Sequence, residues 1–382
     1  MFRKECKKTL KSLTFWIYVA ALLAFGFTQL GAELDPIEPP QPGHASYGVK
    51  YVDDPERIME GAIASLREEF EANNYPAYPP PFRFYKNVKL GDAEQAEMKG
   101  IVSQLTDSRP TYERFKELAA RADKLIGGGS KYDPSKLYLF GQADKTYEEA
   151  LAEFNVIVDK DRITGALARL FSDYYGIVLG LFPVFVSVAL GLKDRQASMR
   201  ELIYTRRASS RTIVFVRYAA MVAMMLLPVL ALAGYATVQT AGDYAGYDID
   251  RLAFFKYSLG WLLPTLMVSS AVGVLLTELT DTPIAIAVQG LWWFFGLNSG
   301  IWHIDGGYGA DLLIRHNTVG NTDVFLRNIG VLLVNRIGYA LLALALVASA
   351  AWIYELKRRG KMNGNGLRLA KILVHRKVEP QA

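Results

Sequence analysis

The stretch KDRQASMRELIYTRRASSRTIVFVR, residues 193–217, lies between two apolar runs that are each long enough to cross a membrane. It contains seven Lys or Arg residues against two acidic residues, Asp194 and Glu201. Short loops with an excess of Lys and Arg stay on the cytoplasmic side of a membrane. The sequence therefore predicts a membrane protein that holds this basic loop in the cytoplasm.

The composition of the chain agrees with this class of protein. It is 51% hydrophobic and 21% charged, with a mean hydropathy of +0.12, and the charged residues are segregated from the apolar runs. A membrane-spanning helix needs roughly 17–25 residues. Six segments meet or approach this length, of which the fifth is the shortest: 13–30, 174–192, 212–238, 257–276, 283–297 and 331–354.

Charge asymmetry predicts the orientation. Residues 1–12 hold five basic residues and one acidic residue, and residues 355–382 hold eight basic and two acidic residues. The long segment 32–168 is acidic, with 17 Lys or Arg against 24 Asp or Glu. Both termini and the 193–217 loop are therefore expected in the cytoplasm, in a multi-pass protein of the cell membrane. The first span is expected to be retained, because Leu30 replaces a small residue of the signal-cleavage motif.

The expected fold class is an all-α membrane protein with six transmembrane helices. Residues 1–32 would form an amphipathic segment and the first span, and 33–168 a mostly helical extracytoplasmic domain. Residues 169–356 would form a five-helix membrane region with the basic loop 193–211, and 357–382 a basic cytoplasmic tail. In the outer domain, Asp54-Pro55 is typical of a helix start. Further helices are expected near 92–105, 111–126 and 146–158, with a short strand within 82–90.

Motifs for catalysis and metal binding are missing from the sequence. The chain has no Gly-x-x-x-x-Gly-Lys-Ser/Thr loop for phosphates, no His-Glu-x-x-His and no Gly-x-Ser-x-Gly. Its single cysteine and four histidines are scattered, without metal-ligand spacing. The net charge of +5 follows the predicted topology, so nucleic-acid binding is not expected. We therefore expect no enzyme activity and no cofactor on this chain.

Charged residues are scarce within the predicted spans. Proteins that carry ions by themselves usually place ionisable groups there, so a self-contained ion-coupled carrier is disfavoured. Arg336 is the exception. It lies near the outer end of the sixth predicted span, where its side chain is expected either to reach the membrane interface or to face a pore.

The basic loop has the pattern of a helix that presses against a partner. On a helix, four residues would share one face and form an apolar knob with charged rims: Arg195, Met199, Leu202 and Arg206. Such a knob fits a cleft on a cytoplasmic protein. An ordinary basic loop with a short interfacial helix explains the same pattern.

The arrangement resembles the permease subunit of type 2 ATP-binding cassette (ABC) transporters. In that family the loop between spans two and three has an acidic–basic pair, a Gly-Thr-x-Glu-Leu-Leu core, a Pro-x-Ser-Arg exit and a basic residue at the start of span three. The corresponding residues here are Asp194, Arg195, Glu201, Leu202, Ser210, Arg211 and Arg217. Ser198 stands where the family has Gly, and the Pro is replaced around Arg207. These departures leave both ends of the expected helix open.

The resemblance implies an exporter built from several subunits. Two permease chains, identical or paired with a sister chain, would face each other in the lipid bilayer, and two ATPase subunits with bound ATP and Mg would dock beneath them. The stretch 298–328 would form a re-entrant helical hairpin near the outer face. The residues implied at the ATPase contact are Asp194, Arg195, Met199, Glu201, Leu202, Ile203, Arg206, Arg207 and Arg211.

A second group of residues is a candidate for the translocation path or the dimer interface: Gly176, Gly180, Trp292, Trp293, Phe295 and Asn298. The glycines permit close approach of helices, whereas lipid-facing packing explains the aromatic residues equally well. The rival function is a signalling or mechanotransmitting membrane protein, whose outer domain senses a ligand and moves a cytoplasmic partner without transport.

Overall fold

The structure is a computed structural model, and it describes residues 1–31, 36–80, 85–107, 110–196, 208–300 and 307–362. The chain divides into two compact units. The membrane unit comprises Met1–Glu38 and Asn155–Ala382, and the inserted unit comprises Pro39–Phe154. The inserted unit therefore begins later and ends earlier than the predicted outer segment 33–168.

The inserted unit has a hydrophobic core of its own. Ile58 and Leu66 lie on the buried face of its first helix, as the apolar spacing predicts. Asp54 caps this helix by accepting from two backbone N–H groups of the first turn, and Asn73 ends it in the left-handed conformation. The helices of this core are α3 (Pro55–Ala72), α4 (Asp92–Asp107) and α5 (Tyr112–Ile126).

Two short antiparallel strand pairs complete the inserted unit. The pairs are β1 (Val49–Tyr51) with β4 (Gln142–Asp144), and β2 (Tyr75–Ala77) with β3 (Lys86–Val88). The β1–β4 pair joins the two ends of the unit, since β1 lies near its start and β4 near its end. The strand predicted within 82–90 is found as β3, while residues 81–84 lie outside the described part of the chain.

The remaining α-helices of the described residues range from five to 37 residues in length. They are α1 (Phe2–Leu10), α2 (Leu13–Phe25), α6 (Tyr147–Asp161), α7 (Thr164–Leu181), α8 (Pro183–Gln196), α9 (Ser210–Asp243), α10 (Ala253–Tyr257), α11 (Leu263–Thr280), α12 (Ile284–Gly300) and α13 (Thr322–Arg358). A π-helical turn extends α2 to Leu30, and another joins α10 to α11.

Five helical stretches are long and apolar enough to cross a membrane: Leu13–Leu30, Thr164–Lys193, Ser210–Asp243, Ala253–Thr280 and Thr322–Arg358. They correspond to five of the six predicted spans. The fifth predicted span is α12, which has 17 residues and falls at the lower limit of roughly 17–25. The chain is thus a helical membrane protein with five such helices among the described residues and one shorter apolar helix.

Two helices begin well before the spans that were predicted within them. The second span was predicted to start at residue 174, but α7 starts at Thr164 and breaks before Pro183, whose ring cannot continue the backbone hydrogen bonding of a helix. The sixth was predicted to start at 331, but α13 starts at Thr322. Residues 322–328 are therefore part of α13, and residues 307–321 are irregular instead of forming the expected helical hairpin.

Helix α11 lies at the centre of the membrane unit and packs against α7, α8, α9, α12 and α13. The irregular segment 307–321 also contributes to the core, because Leu312, Leu313 and Ile314 are buried in it. These side chains therefore anchor the irregular backbone to the surrounding helices. At the N-terminus, α1 lies against α9.

Candidate coupling site

Most residues of the predicted ATPase contact lie outside the described residues. Met199, Glu201, Leu202, Ile203, Arg206 and Arg207 fall in the interval 197–207. The backbone of Asp194 and Arg195 belongs to the last turn of α8, and Arg211 lies exposed in the first turn of α9. The residues on either side of the loop contact neighbouring helices of the membrane unit.

The loop begins at α8, which packs closely against α11. A Cβ added at Gly273 of α11 would lie 1.8 Å from the Ser187 Oγ of α8. One turn further along, a Cβ added at Gly191 of α8 would lie 3.0 Å from the Thr277 Cγ2 of α11. A larger residue at position 273 would force Ser187 to shift, so glycine permits the close approach of the two helices there.

The loop ends at α9, whose start is bonded to the end of α13. Arg358 donates to the Ala208 carbonyl at 2.8 Å, and the Ser210 hydroxyl donates to the Glu355 carboxylate. Ser209 caps α9 by accepting from the Thr212 backbone N–H at 3.1 Å. The end of the loop is therefore tied to the last membrane helix by side chains of both helices.

A buried lysine joins the end of α11 to the end of α13. The Lys357 side chain is 2% exposed and lies 3.2 Å from the Asp281 carboxylate and 3.7 Å from that of Glu278. It also donates to the Glu278 carbonyl. A buried charge is tolerated only where opposite charges and hydrogen bonds surround it, as they do here. The two helix ends should therefore move together.

Helix α1 adds a fourth contact at this end of the membrane unit. Glu5 of α1 lies 3.7 Å from Arg217 of α9 and 4.0 Å from Lys8. A cavity beside this pair is lined by residues of α1, α8, α9 and α11, among them Thr9, Ser187 and Arg217. The predicted amphipathic helix at the N-terminus is confirmed as a helix, and it is attached to the start of α9.

The residues predicted for a translocation path are only partly brought together. The Trp293 ring and the Leu313 side chain pack against Gly180. A Cβ added at Gly180 would lie 3.1 Å from Trp293 and 2.7 Å from Leu313. The Trp293 indole N–H donates to the Ile177 carbonyl at 2.8 Å, and Gln289 donates to that of Gly180 at 2.6 Å. These contacts fix α12 against α7.

The other members of that predicted group lie apart from this contact. Gly176 faces Leu262, and Trp292 contacts the Tyr339 ring of α13. Phe295 is 51% exposed, and Asn298 donates to a carbonyl of its own helix, that of Phe294.

A buried charged cluster at the other end of the membrane unit was missed by the sequence analysis. The Arg169 side chain is fully buried and makes a bidentate pair with Asp161, at 3.0 Å and 2.9 Å. It also donates to the carbonyls of Val319 and Gly320, and its guanidinium lies 4.9 Å from the Phe325 ring centre. Arg169 therefore fastens the irregular segment 307–321 to α7.

Two further groups extend this cluster. Arg315 donates to the Asp173 carboxylate at 2.7 Å, so a second ion pair holds the same segment. His316 is buried between the Tyr308 hydroxyl, 2.7 Å from Nδ1, and the Gly320 carbonyl, 3.0 Å from Nε2. Because a carbonyl only accepts, Nε2 carries the proton and Nδ1 accepts from Tyr308. Burial and the nearby Arg169 lower the pKa of His316 from 6.5 to about 4.

Arg169 and Asp173 lie near the start of α7, so the charges that the sequence analysis missed are at the end of a span and not deep within it. They are four residues apart, which places them on one side of α7, and Asp161 joins the same cluster from the end of α6. The four-residue spacing was the available signal, and it was lost because the predicted span began at 174. The interfacial alternative for Arg336 is wrong: its side chain is buried and donates to Thr265 Oγ1 at 2.7 Å and to the Leu312 carbonyl at 3.1 Å.

The chain matches no known family model, no curated protein and no solved structure. The likeness to ABC permeases consequently rests on the loop residues named above. Within the described residues, no group of three or more His, Cys, Asp or Glu side chains could hold a metal ion. The described contacts thus join both flanks of the basic loop to neighbouring helices of the membrane unit, α8 to α11 and α9 to α13.

Proposed function

We propose that this chain is the membrane-spanning permease subunit of an ATP-driven exporter, coupled to separate ATPase subunits that bind ATP and Mg. Two permease chains, identical or different, would form the pathway across the cell membrane. The cargo would be a hydrophobic or amphipathic compound such as a peptide antibiotic, a drug or a lipid. The observation that carries the proposal is the attachment of both ends of the basic loop to the membrane helices.

That attachment supports the transmission of force. A partner that pushes the 197–207 loop would act on α8 directly, and on α13 through the Ala208–Arg358 and Ser210–Glu355 bonds. Lys357 passes the displacement of α13 to α11. The close contact of α8 with α11 at Gly273 and Gly191 supports the transfer of a displacement of α8 to α11, and rigid-body movement of helices is one way in which such a protein can switch states.

The motif assigns the docking role within the loop. Glu201 and Leu202 match the family core, so Glu201→Ala with Leu202→Ala should reduce co-purification of an ATPase or uncouple its hydrolysis. The permease itself should still assemble in the membrane. A matched control is Glu148→Ala with Leu252→Ala, which removes the same two side chains at exposed positions outside the loop sequence.

The experiment is affinity purification of the full chain from its native membrane, followed by mass spectrometry of the intact complex. We expect two ATPase subunits with two permease chains for wild type and the control. The proposal fails if wild type carries no ATP-binding subunit. The docking role of the loop fails if the Glu201/Leu202 variant retains wild-type stoichiometry and coupled hydrolysis.

A signalling or mechanotransmitting role is the second candidate, and the independent core of the inserted unit favours it. A unit that folds around its own core can bind a ligand and change shape as one body. ATP-dependent transport of a labelled compound in proteoliposomes separates the two functions, because a signalling protein moves its partner without moving cargo. A self-contained carrier would transport without any ATPase.

A further inference from the structure

A charged groove lies between the first turns of α9 and the last turns of α13, at the end of the membrane unit that carries the basic loop. Its lining includes Arg211, Phe215, Ala348, Trp352, Arg358 and Arg359. The groove opens to the outside of the unit, since Arg211 and Arg359 are exposed and Trp352 is 66% exposed.

The charges in the groove leave a surplus of positive charge. Three arginines stand against one acidic residue, Glu355. The Glu355 carboxylate is already engaged, because it accepts from the Ser210 hydroxyl and lies 2.6 Å from Arg359 Nε. Arg211 makes no ion pair with any of the described residues. A guanidinium has five N–H donors, so Arg359 keeps donors for a further anion.

Polarity changes along the groove from apolar to basic. On α9, Phe215 follows Arg211 by one helical turn, so it lies further from the helix end. On α13, Ala348 and Trp352 lie on the same face as Arg359 and precede it, so they too lie further from the helix end. The apolar end therefore points toward the middle of the membrane helices and the basic end toward their termini. Ala348 has a small side chain, which leaves room beside the Trp352 ring. A phospholipid has the same order of parts, with acyl chains at membrane depth and phosphate at the surface.

We propose that this groove binds an anionic phospholipid from the adjacent leaflet. Arg211 and Arg359 hold the phosphate, since arginine forms two parallel hydrogen bonds with phosphate oxygens. Trp352 and Phe215 contact the upper acyl chain, and Trp352 also occupies the interfacial position that tryptophan favours. Arg358 positions the groove by joining α13 to Ala208. The site does not depend on the exporter function, so it would hold for either candidate function.

The test uses the full chain in neutral detergent, titrated with phosphatidylglycerol or phosphatidylcholine and observed by native mass spectrometry. Wild type should bind phosphatidylglycerol more tightly than phosphatidylcholine. Arg211→Gln with Arg359→Gln should weaken that binding about 25-fold, from about fivefold for each basic residue near an anionic headgroup. Arg251→Gln with Arg327→Gln, two exposed arginines at the opposite end, should bind as wild type does.

Three outcomes would overturn the proposal. The first is equal affinity for the two lipids. The second is unchanged phosphatidylglycerol binding in the Arg211/Arg359 variant. The third is displacement of the lipid by millimolar inorganic phosphate, which would make the site one for soluble anions.

A second measurement needs no arginine variant, so it remains decisive if that variant fails to fold. Phosphatidylglycerol with brominated acyl chains should quench wild-type tryptophan fluorescence more than brominated phosphatidylcholine does. Trp352→Phe should abolish this difference. A difference that persists in Trp352→Phe would place the lipid elsewhere and overturn the proposal.

Discussion

Removal of the Arg169 guanidinium should destabilise the membrane unit more than any other single change in the buried cluster. The side chain is fully buried and makes four hydrogen bonds, two to the Asp161 carboxylate and two to the carbonyls of Val319 and Gly320. In Arg169→Met the Asp161 carboxylate stays buried and keeps only the hydroxyl of Thr322 as its side-chain partner. Breaking a buried pair in this way costs about 3–5 kcal/mol of unfolding free energy.

A double variant tests whether the unpaired, buried Asp161 carboxylate causes the loss of stability in Arg169→Met. Asp161→Asn with Arg169→Met removes both charges and keeps an amide that can bond to Thr322. If the buried carboxylate dominates the loss, the double variant should be more stable than Arg169→Met by about 1–3 kcal/mol, a coupling typical of contacting residues. Ordinary loss of packing would instead make the double variant no better than the single one.

The assay is thermal unfolding of the purified chain in detergent, followed by tryptophan fluorescence. A loss of about 3–5 kcal/mol corresponds to a fall in melting temperature of about 4–9 °C for a unit or chain of this size. Arg251→Met is the matched control, because Arg251 is exposed. An Arg169→Met protein that melts within about 2 °C of wild type would refute the claim that this pair holds the 307–321 segment.

Three other predictions concern separate parts of the chain. The free energy of unfolding of wild type should fall by about 3 kcal/mol between pH 6.5 and 4. The reason is that His316 binds a proton below pH 6.5 in the unfolded state, whereas its pKa in the folded state is about 4. His316→Gln should lose this dependence, and parallel pH series of melting curves for the two proteins would contradict it. Gly273→Ala should lower the free energy of unfolding by about 1–3 kcal/mol, because its Cβ would overlap Ser187. Gly290→Ala is the control, since it has open space around it and should change little. Equal melting temperatures of the two variants would disprove the close helix contact. Asp54→Ala should destabilise the start of α3 by about 1 kcal/mol, and Asp54→Ser should retain most of the wild-type stability. Amide hydrogen exchange measures both effects. Equal protection of this helix start in wild type and the two variants would show that the cap contributes nothing.

Features encoded in neighbouring residues could be predicted from the sequence. Leu13–Leu30 was predicted with both ends correct because its apolar run lies between the basic N-terminal residues and the acidic, Pro-rich stretch that starts at Glu33. The start of α3 was predicted because Asp54 and Pro55 together satisfy and fix the first turn of a helix. Residues 1–12 were compatible either with a short amphipathic helix or with a plain basic flank, and the structure has the helix α1 there.

Features that depend on distant partners could not be predicted in the same way. Arg169 and Asp173 looked like residues before a span, because hydropathy counts a charge as polar whether or not it is paired. Their partners include Arg315 and Gly320, roughly 140–150 positions along the chain, and no local pattern connects them. The residues inside the 193–217 loop are a different case, since Glu201 and Leu202 lie outside the described residues and their role stays a prediction.

The two groups of buried charges also explain how one loop could act on the whole membrane unit. Lys357 joins α11 to α13 near the basic loop, and Arg169 joins α7 to the segment before α13 at the opposite end. Between them, α8 and α11 are in close contact at Gly273 and Gly191, against Ser187 and Thr277. Buried ion pairs are costly to separate, and glycine lets two helices pack closely. A push on the loop should therefore displace α8 together with α11, and Lys357 should carry α13 with them.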